Sequence, residues 1–336
     1  MINNLDIIIP VYNDADGLFV SLCSITSQGK LPIKVIIIDD GSNEKNNYNE
    51  VIKRFTNYLD IKFIQLSSNR GPATARNAGL EQATARYVSF LDCGDVYVNT
   101  NSLAQTFNDI KEHPESFVFS YAHTSQKGDN RYDDEYIPAD NNRLMGKVYN
   151  KFFLDSFGIK FNEEAGRANE DIGFNVLCRL ICEDLNHKYL FESDTPMVRW
   201  SYNSNSLTRK NNYAFWYVET KNMAKNMIYA YRKASELHVD EKLIQADAYN
   251  AFSFIYTLYI GALNEQSPYE KDVFIGARYF YNNYFSMDKV NPQLFLQVYN
   301  EYMATLDCND AFYLKFPPFT IIEFLNILSK EKMINE

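Results

Sequence analysis

An α/β fold with a mostly parallel central sheet, followed by an all-helical C-terminal region, is the fold class that this sequence predicts. Apolar runs alternate with helix-like stretches through the first part of the chain, and apolar residues recur at helical spacing through the last part. Runs that are apolar throughout are typical of parallel strands covered on both faces. Ligands bind beyond the carboxyl ends of such strands, so functional residues are expected there.

Length and composition indicate a globular protein with two substantial cores. The 336 residues are 46% hydrophobic and include 25 Tyr and 24 Phe. The formal net charge of −10 argues against a nucleic-acid binder, because a phosphate backbone requires a basic surface. The sequence contains neither a long apolar run nor a signal-peptide pattern, so we expect no transmembrane segment and a cytoplasmic location, with peripheral membrane contact left open.

Four strands and three helices are predicted to alternate in the first part of the chain. The strands are expected at 6–11, 34–38, 61–66 and 87–91, and the helices at 15–27, 47–58 and 73–83. The later helices follow from apolar stripes, for example Ile244, Ala248, Ala251 and Ile255, which repeat at three and four residues. We therefore predict two domains, over 1–211 and 212–336.

The fourth strand delivers two carboxylates, Asp92 and Asp95, onto a loop that contains Gly94. Oxygen ligands of this kind suit a divalent cation that holds a diphosphate. The alternative is a turn in which the two acids accept hydrogen bonds only from nearby backbone amides.

Polar residues also follow the other three strands, and the motifs together resemble one family. The segments DIIIPVYN, VIIIDDGS, NRGPATARNAGL and YVSFLDCGD, in this order, resemble the nucleotide-binding half of the family 2 glycosyltransferases with the GT-A fold. The resemblance covers the first predicted domain and does not reach the C-terminal helices.

The resemblance implies a pocket for the nucleotide base. Pro10, Val11 and Tyr12 would line it, and Asp39 would accept a hydrogen bond from the base imide. Asp40 would support the same loop. Uracil suits this arrangement, so a UDP-sugar is the expected donor, although Asp39 would serve thymine as well.

The resemblance also assigns residues around the ribose and the diphosphate. Arg70 or Arg76 would lie near the nucleotide, Asn77 would fix that loop, and Asp92 and Cys93 would lie on the ribose or metal side. The commonest family motif has an aspartate, a metal ligand, where this chain has Gly94. Asp95 is the available substitute, so Asp92 and Asp95 are the predicted ligands of Mn²⁺ or Mg²⁺.

A fifth motif, GRANEDIGFN, resembles the acceptor side of bacterial capsule and wall-polymer transferases. The resemblance makes Asp171 the catalytic base and Glu170 its neighbour, with Asn169 beside them. The alternative is that these acids only complement the dipole of the helix that they begin.

The pattern of residues 197–213 predicts a strand followed by a polar, basic stretch. Ser206, Arg209 and Lys210 would contact the donor diphosphate, as a loop at this place does in related enzymes. The alternative is a solvated linker between domains.

The predicted function is inverting transfer of a sugar from a nucleoside-diphosphate sugar to a hydroxyl of a glycan or wall-polymer acceptor. A carboxylate base and a divalent cation are the groups that a single displacement of this kind requires. Two alternatives stay open: a member of the family that binds a nucleotide sugar or glycan without turnover, and a nucleotidyltransferase. The C-terminal helices could bind acceptor, brace the catalytic domain or form a homo-oligomer.

Overall fold

The computed structural model describes residues 4–43, 45, 47–128, 134–140, 142–165, 168–186, 190–202, 212–285, 290–306 and 319–330. By its contacts the chain divides into two units. The first comprises Met1–Arg167 and Phe174–Ser204, and the second comprises Ala168–Gly173 and Asn205–Glu336. The short segment Ala168–Gly173 therefore groups with the C-terminal helices although it precedes them by more than thirty residues in sequence.

The first unit is built on one sheet, for which nine strands are found in the described part of the chain. The strands are β1 Leu5–Val11, β2 Ile33–Asp39, β3 Asp60–Gln65, β4 Tyr87–Phe90, β5 Val96–Tyr97, β6 Val118–Gln126, β7 Asp134–Ile137, β8 Lys147–Asn150 and β9 Leu190–Trp200. The helices that accompany them are α1 Ala15–Thr26, α2 Tyr48–Lys53, α3 Pro72–Gln82, α4 Ser102–Glu112 and α5 Lys151–Ser156. Helix α6, Glu170–Asp184, begins in the second unit and ends in the first.

The strand order is β3-β2-β1-β4-β8-β6-β9-β5, with β7 paired to β6. Strands β1 to β4 pair in parallel, whereas β8 is antiparallel to both β4 and β6. The predicted α/β fold is thus confirmed, with a parallel sheet in its first half and a mixed sheet as a whole.

Burial along the strands follows their place in the sheet. Strand β1 lies between β2 and β4, and all but one of its residues are buried. Strand β3 lies at the edge of the sheet and contains no fully buried residue. A central strand covered on both faces requires apolar residues throughout, which is why β1 and β2 were readable as continuous apolar runs.

The prediction of a helix over 47–58 is wrong in its length. Helix α2 covers only Tyr48–Lys53, and the chain continues in tighter turns in which Phe55 N donates to Ile52 O and Tyr58 N donates to Phe55 O. Phe55 is buried against Phe19, at 5.5 Å between ring centroids, and the chain then enters β3. The packing of Phe55 and the need to reach the edge strand end the helix early.

The second unit is helical in its described part, which confirms the predicted helical C-terminal region. Its helices are α7 Asn212–Val218, α8 Thr220–Glu236, α9 Glu241–Asn264, α10 Glu270–Tyr284, α11 Pro292–Thr305 and α12 Ile321–Lys330. The ring of Phe252 on α9 lies within 6.0 Å, centroid to centroid, of Phe280, Phe285, Phe295 and Phe324. These aromatic stripes therefore form the core of the helical unit. No helix in the described ranges has both the length and the apolar character that crossing a bilayer requires.

Candidate functional site

The loops that follow β1 and β2 are tied to one another at the carboxyl edge of the sheet. Asp40 N donates to Val11 O at 2.9 Å, Asn13 N donates to Ser42 Oγ at 2.8 Å, and Asn43 N donates to Asn13 Oδ1 at 3.0 Å. Asn13 is able to hold this position because asparagine tolerates its φ of 51°. The two loops therefore form a single platform, for which Ser42 was not singled out from the sequence.

Tyr12 is the most exposed of the three residues predicted to line the base pocket. The residue is 49% exposed, whereas Val11 is buried and Pro10 is half-buried. Tyr12 and Pro10 thus present surface at the end of β1, and Val11 belongs to the core of the sheet.

Asp39 is buried at the end of β2 and its carboxylate already has two protein donors. Ser42 N donates to Oδ1 at 2.9 Å, and Gln65 Nε2 donates to Oδ2 at 3.0 Å. Each carboxylate oxygen has a second lone pair, so a further donor such as a base imide is chemically acceptable. Gln65 was missed by sequence reasoning because it lies on the edge strand β3, outside the motifs.

Asp40 holds the loop that leads into α3. Its two oxygens accept hydrogen bonds from the backbone amides of Arg70 and Gly71, both at 2.8 Å. Free amides at a helix N-terminus require acceptors, and a buried carboxylate meets that need with charge-assisted bonds. Both carboxylate oxygens of Asp40 therefore accept hydrogen bonds from the protein backbone.

The Arg70 side chain is exposed and pairs with Glu163, with 3.1 Å between Nη2 and Oε2. Glu163 also accepts a hydrogen bond from Thr74 Oγ1 at 2.9 Å and from Asn77 Nδ2 at 2.9 Å. Asn77 in addition bonds to both the backbone N and O of Phe161. Glu163 thus connects the segment after α5 to the first turns of α3, a role that no sequence signal indicated.

Arg76 and Asp92 form a charged pair that joins the third and fourth predicted motifs. Arg76 is buried, its guanidinium lies 5.6 Å from the centre of the Phe161 ring, and its Nη2 donates to Asp92 Oδ1 at 2.7 Å. The side chain of Asp92 is 48% exposed. Asp92 is therefore anchored through one oxygen and accessible to solvent beyond the end of β4.

Asp95, the second predicted metal ligand, is buried and faces away from solvent. Its Oδ1 accepts a hydrogen bond from Ser201 N at 2.9 Å, and its carbonyl oxygen accepts one from Ser21 Oγ. Gly94, between the two acids, has a φ of 96°, a conformation that L-residues rarely adopt. This backbone conformation explains why the chain has a glycine at a position where the commonest family motif has an aspartate.

Cys93 lies in the same turn, and its thiol donates to Asp14 O at 3.3 Å. Burial, followed by the nearby carboxylates Asp14, Asp92 and Asp95, raises the pKa of the Cys93 thiol well above its usual value. A protonated thiol is a poor nucleophile and a poor metal ligand, so Cys93 contributes packing and a hydrogen bond.

A divalent cation fits this loop only if the ligand set is completed by the substrate. No cluster of three or more potential protein ligands is found among the described residues. Mg²⁺ and Mn²⁺ at nucleotide sites are commonly held by one or two carboxylates together with phosphate oxygens and water. The exposed carboxylate of Asp92 satisfies that requirement, whereas Asp95 is engaged by Ser201 N.

The NED triplet lies at the start of α6, in the second unit. Asn169 has a φ of 61°, Glu170 begins the helix and is buried, and Asp171 is half-buried. Asp171 Oδ1 accepts a hydrogen bond from Ile172 N at 3.0 Å. The carboxylates at the start of α6 also interact favourably with the helix dipole, as expected from the alternative interpretation of the NED triplet.

The predicted diphosphate contacts after β9 lie outside the described residues. Ser206, Arg209 and Lys210 fall within 203–211, and the description resumes at 212. Tyr202, just before this stretch, donates its backbone N–H to Gln126 Oε1 at 3.1 Å.

Comparison with known proteins identifies the sequence family. Residues 6–169 match the family model for Glycosyl transferase family 2. This part of the chain belongs to glycosyltransferase family 2. The resemblance inferred from the four motifs is therefore confirmed.

Curated relatives cover parts of the chain. An uncharacterized glycosyltransferase of Rickettsia bellii is 33% identical over 150 residues, which are 44% of this chain and 20% of that protein. A poly-beta-1,6-N-acetyl-D-glucosamine synthase of Staphylococcus epidermidis is 32% identical over 113 residues, which are 34% of this chain and 27% of that protein. The chain thus spans well under half the length of these relatives.

Solved structures share the fold over nearly the whole chain. S. aureus TarS 1-349 in complex with UDP-GlcNAc superposes with a TM-score of 0.58 at 17% identity and covers 97% of this chain and 88% of TarS 1-349. The mannosyltransferase PcManGT from Pyrobaculum calidifontis, in complex with GDP-Man and Mn²⁺, gives a TM-score of 0.52 at 14% identity and covers 97% of this chain and 86% of that chain. At such identities the likeness establishes the fold alone.

Proposed function

We propose that this family 2 protein is an inverting glycosyltransferase that moves a sugar from a UDP-sugar to a hydroxyl of a glycan or cell-wall-type polymer. The observation that carries the proposal is the anchored, exposed Asp92 at the end of β4, paired to the buried Arg76, within a segment that matches the family. The fold shared with a UDP-GlcNAc complex and the polymer synthase among the relatives support the donor and acceptor classes.

The donor side is proposed to bind the nucleotide on the platform formed by the loops after β1 and β2. Tyr12 offers an exposed aromatic face for stacking on a base, and Asp39 has lone pairs left for the base imide. Arg76 holds Asp92 in place through a 2.7 Å ion pair, so that the free oxygen of Asp92 is positioned for a cation on the diphosphate. When bound, that cation stabilises the negative charge that develops on the leaving diphosphate.

The acceptor side is proposed to use Asp171 as the general base. An alcohol is a weak nucleophile at neutral pH, and a carboxylate within hydrogen-bond reach removes its proton as the new C–O bond forms. The bond from the anomeric carbon to the diphosphate breaks in the same step, so the configuration inverts. Glu170, buried beside the base, is proposed to stabilise the turn that carries it.

A screen of nucleotide sugars in the presence of Mn²⁺, with release of nucleoside diphosphate as the readout, tests the proposal. We expect release from a UDP-sugar, increased by a glycan or wall-type polymer acceptor, and loss of that activity in EDTA. Release from a GDP-sugar alone would overturn the choice of base. Tight binding of UDP-sugars without release would instead favour the alternative of a binding protein without turnover, for which the engaged carboxylate of Asp95 is the motivating observation.

A further inference from the structure

We infer that Asn226 of helix α8 is a positioning residue for the turn that carries Asp171, so that the helical C-terminal unit holds the proposed base in place. The inference rests on the proposed function for the role of Asp171. It concerns the segment Ala168–Gly173, which contacts define as part of the second unit together with residues 205–336.

Asn226 reaches this segment through a side-chain hydrogen bond. Its Nδ2 donates to Ala168 O at 3.4 Å and to Asn222 O at 3.1 Å, and the residue is fully buried. Both partners are carbonyl oxygens, which accept but cannot donate. The orientation of the amide is therefore determined, since an oxygen in place of Nδ2 would face two acceptors.

A backbone contact holds the other end of the same turn. A Cβ atom on Gly173 would lie 2.5 Å from the backbone oxygen of Asn226 and 3.0 Å from its backbone carbon. Only a residue without a side chain permits so close an approach between the first turn of α6 and α8. Asn226 thus contacts the turn on both sides of the Glu170–Asp171 pair, at Ala168 and at Gly173.

The turn needs such external support because its own residues stabilise it incompletely. Asn169 has a φ of 61°, in the left-handed region that asparagine adopts at less cost than other residues with a side chain but still less readily than glycine. Its Nδ2 is buried and has no hydrogen-bond partner within the described part of the chain, and the same holds for Asn226 Oδ1. A conformation of this kind persists when the surrounding structure imposes it, and here α8 is the element that does so.

The functional consequence is a division of labour between the two units. The donor-side residues belong to the first unit, and the proposed base is fixed by the second through Asn226 and Gly173. Of the roles that the sequence left open for the C-terminal helices, this one is closest to bracing: through Asn226, helix α8 sets the geometry of the turn that carries Asp171.

The test uses Asn226→Asp, an isosteric change that replaces the amide donor by a carboxyl group, in the full chain. We expect kcat for transfer to fall by about 10- to 100-fold, because a small misplacement of a catalytic group has effects of this size. The dissociation constant for the donor, measured by calorimetry, should stay within about twofold of wild type. Asn283→Asp is the matched control, since Asn283 Nδ2 also donates to a carbonyl four residues earlier, that of Tyr279, but at an exposed site on α10.

Gly173→Ala tests the same contact from the other side and remains informative if Asn226→Asp does not fold. Alanine favours a helix over glycine, so a fall in kcat despite this preference would result from the clash with α8. Wild-type kcat in both folded variants would overturn the inference, and so would parallel losses of kcat and donor affinity, which indicate general disruption.

Absence of turnover in the wild-type protein would overturn the proposed function instead. Hydrogen exchange of amides 170–173 would then still test the inference. Faster exchange in Asn226→Asp than in wild type is expected only if Asn226 holds the turn.

Discussion

The acids on the donor side and the acids of the turn 168–173 are held by different kinds of structure. Asp40 and Asp95 each accept a hydrogen bond from a backbone amide of another loop in the first unit, and Asp39 accepts one from Ser42 N of its own loop. Glu170 and Asp171 lie on a turn that α8 fixes through Asn226. The donor side of the proposed reaction thus depends on a sheet that brings strand ends together. The acceptor side depends on the packing of the start of α6 against α8.

This difference indicates that the two sides can be damaged separately. A donor-side change should affect nucleotide affinity or the stability of the first unit. A change in the turn or in α8 should affect the rate of transfer while leaving donor affinity intact.

The largest expected effect is that of Asp171→Asn. The amide cannot take the acceptor proton, so kcat should fall by about 10²-fold or more. Donor affinity, measured by calorimetry, should remain near wild type, because the donor-side residues are in the other unit. Asp184→Asn, at the last residue of α6, serves as the control and should retain activity. Unchanged transfer in Asp171→Asn would remove this residue from the role of base.

The next effect is on stability at acid pH and is confined to the first unit. Burial is the main cause that lowers the pKa of His123 from 6.5 to about 4. The positive charges of Arg143 and Lys147 act in the same direction, and the negative charge of Asp140 opposes them. The unfolded chain then binds the proton more tightly, so stability present above pH 6.5 is lost as the pH falls towards 4, by about 3 kcal/mol.

Hydrogen exchange at pH 7 and pH 5 measures this loss in each unit separately. We expect β6 to lose protection at the lower pH, and His123→Gln to reduce that pH dependence. His238→Gln, in the helical unit, is the control and should leave it unchanged. An equal loss of protection in wild type and His123→Gln would contradict the assignment to His123.

Asp40→Ala should destabilise the first unit by about 2 kcal/mol. The change leaves the amides of Arg70 and Gly71 without their acceptor, and bonds from amides to a buried carboxylate are worth about this much. Thermal unfolding measures the effect. The comparison variant Asp240→Ala removes the exposed acceptor of Lys242 N in the second unit and should cost about 1 kcal/mol. Equal costs would show that burial of the Asp40 carboxylate is not decisive.

The smallest effect is expected for Asp92→Ala, which should raise the donor dissociation constant by about tenfold in Mn²⁺ because one ligand of the cation is lost. In EDTA the variant and the wild type should bind the donor equally. Asp155→Ala removes another exposed carboxylate that is paired to a basic residue, Lys151, and should change neither value. Equal affinity of Asp92→Ala and wild type in Mn²⁺ would show that the cation is held elsewhere.

The sequence by itself determined the parallel half of the sheet and the family. Strands β1 and β2 are buried along almost their whole length, so a continuous apolar run was enough to locate them within one or two residues. The motifs at their carboxyl ends were equally readable, because each is a short segment in which neighbouring residues act together.

Only the tertiary structure decided which side chains are available at those ends. Asp92 and Asp95 look alike in sequence, yet Asp92 is exposed and Asp95 is buried against Ser201 N. Glu163 and Asn226 carried no local signal, since their partners Asn77 and Ala168 are 86 and 58 residues away. A hydrogen bond between distant residues depends on how elements pack, and that packing is a property of the whole fold that no short pattern records.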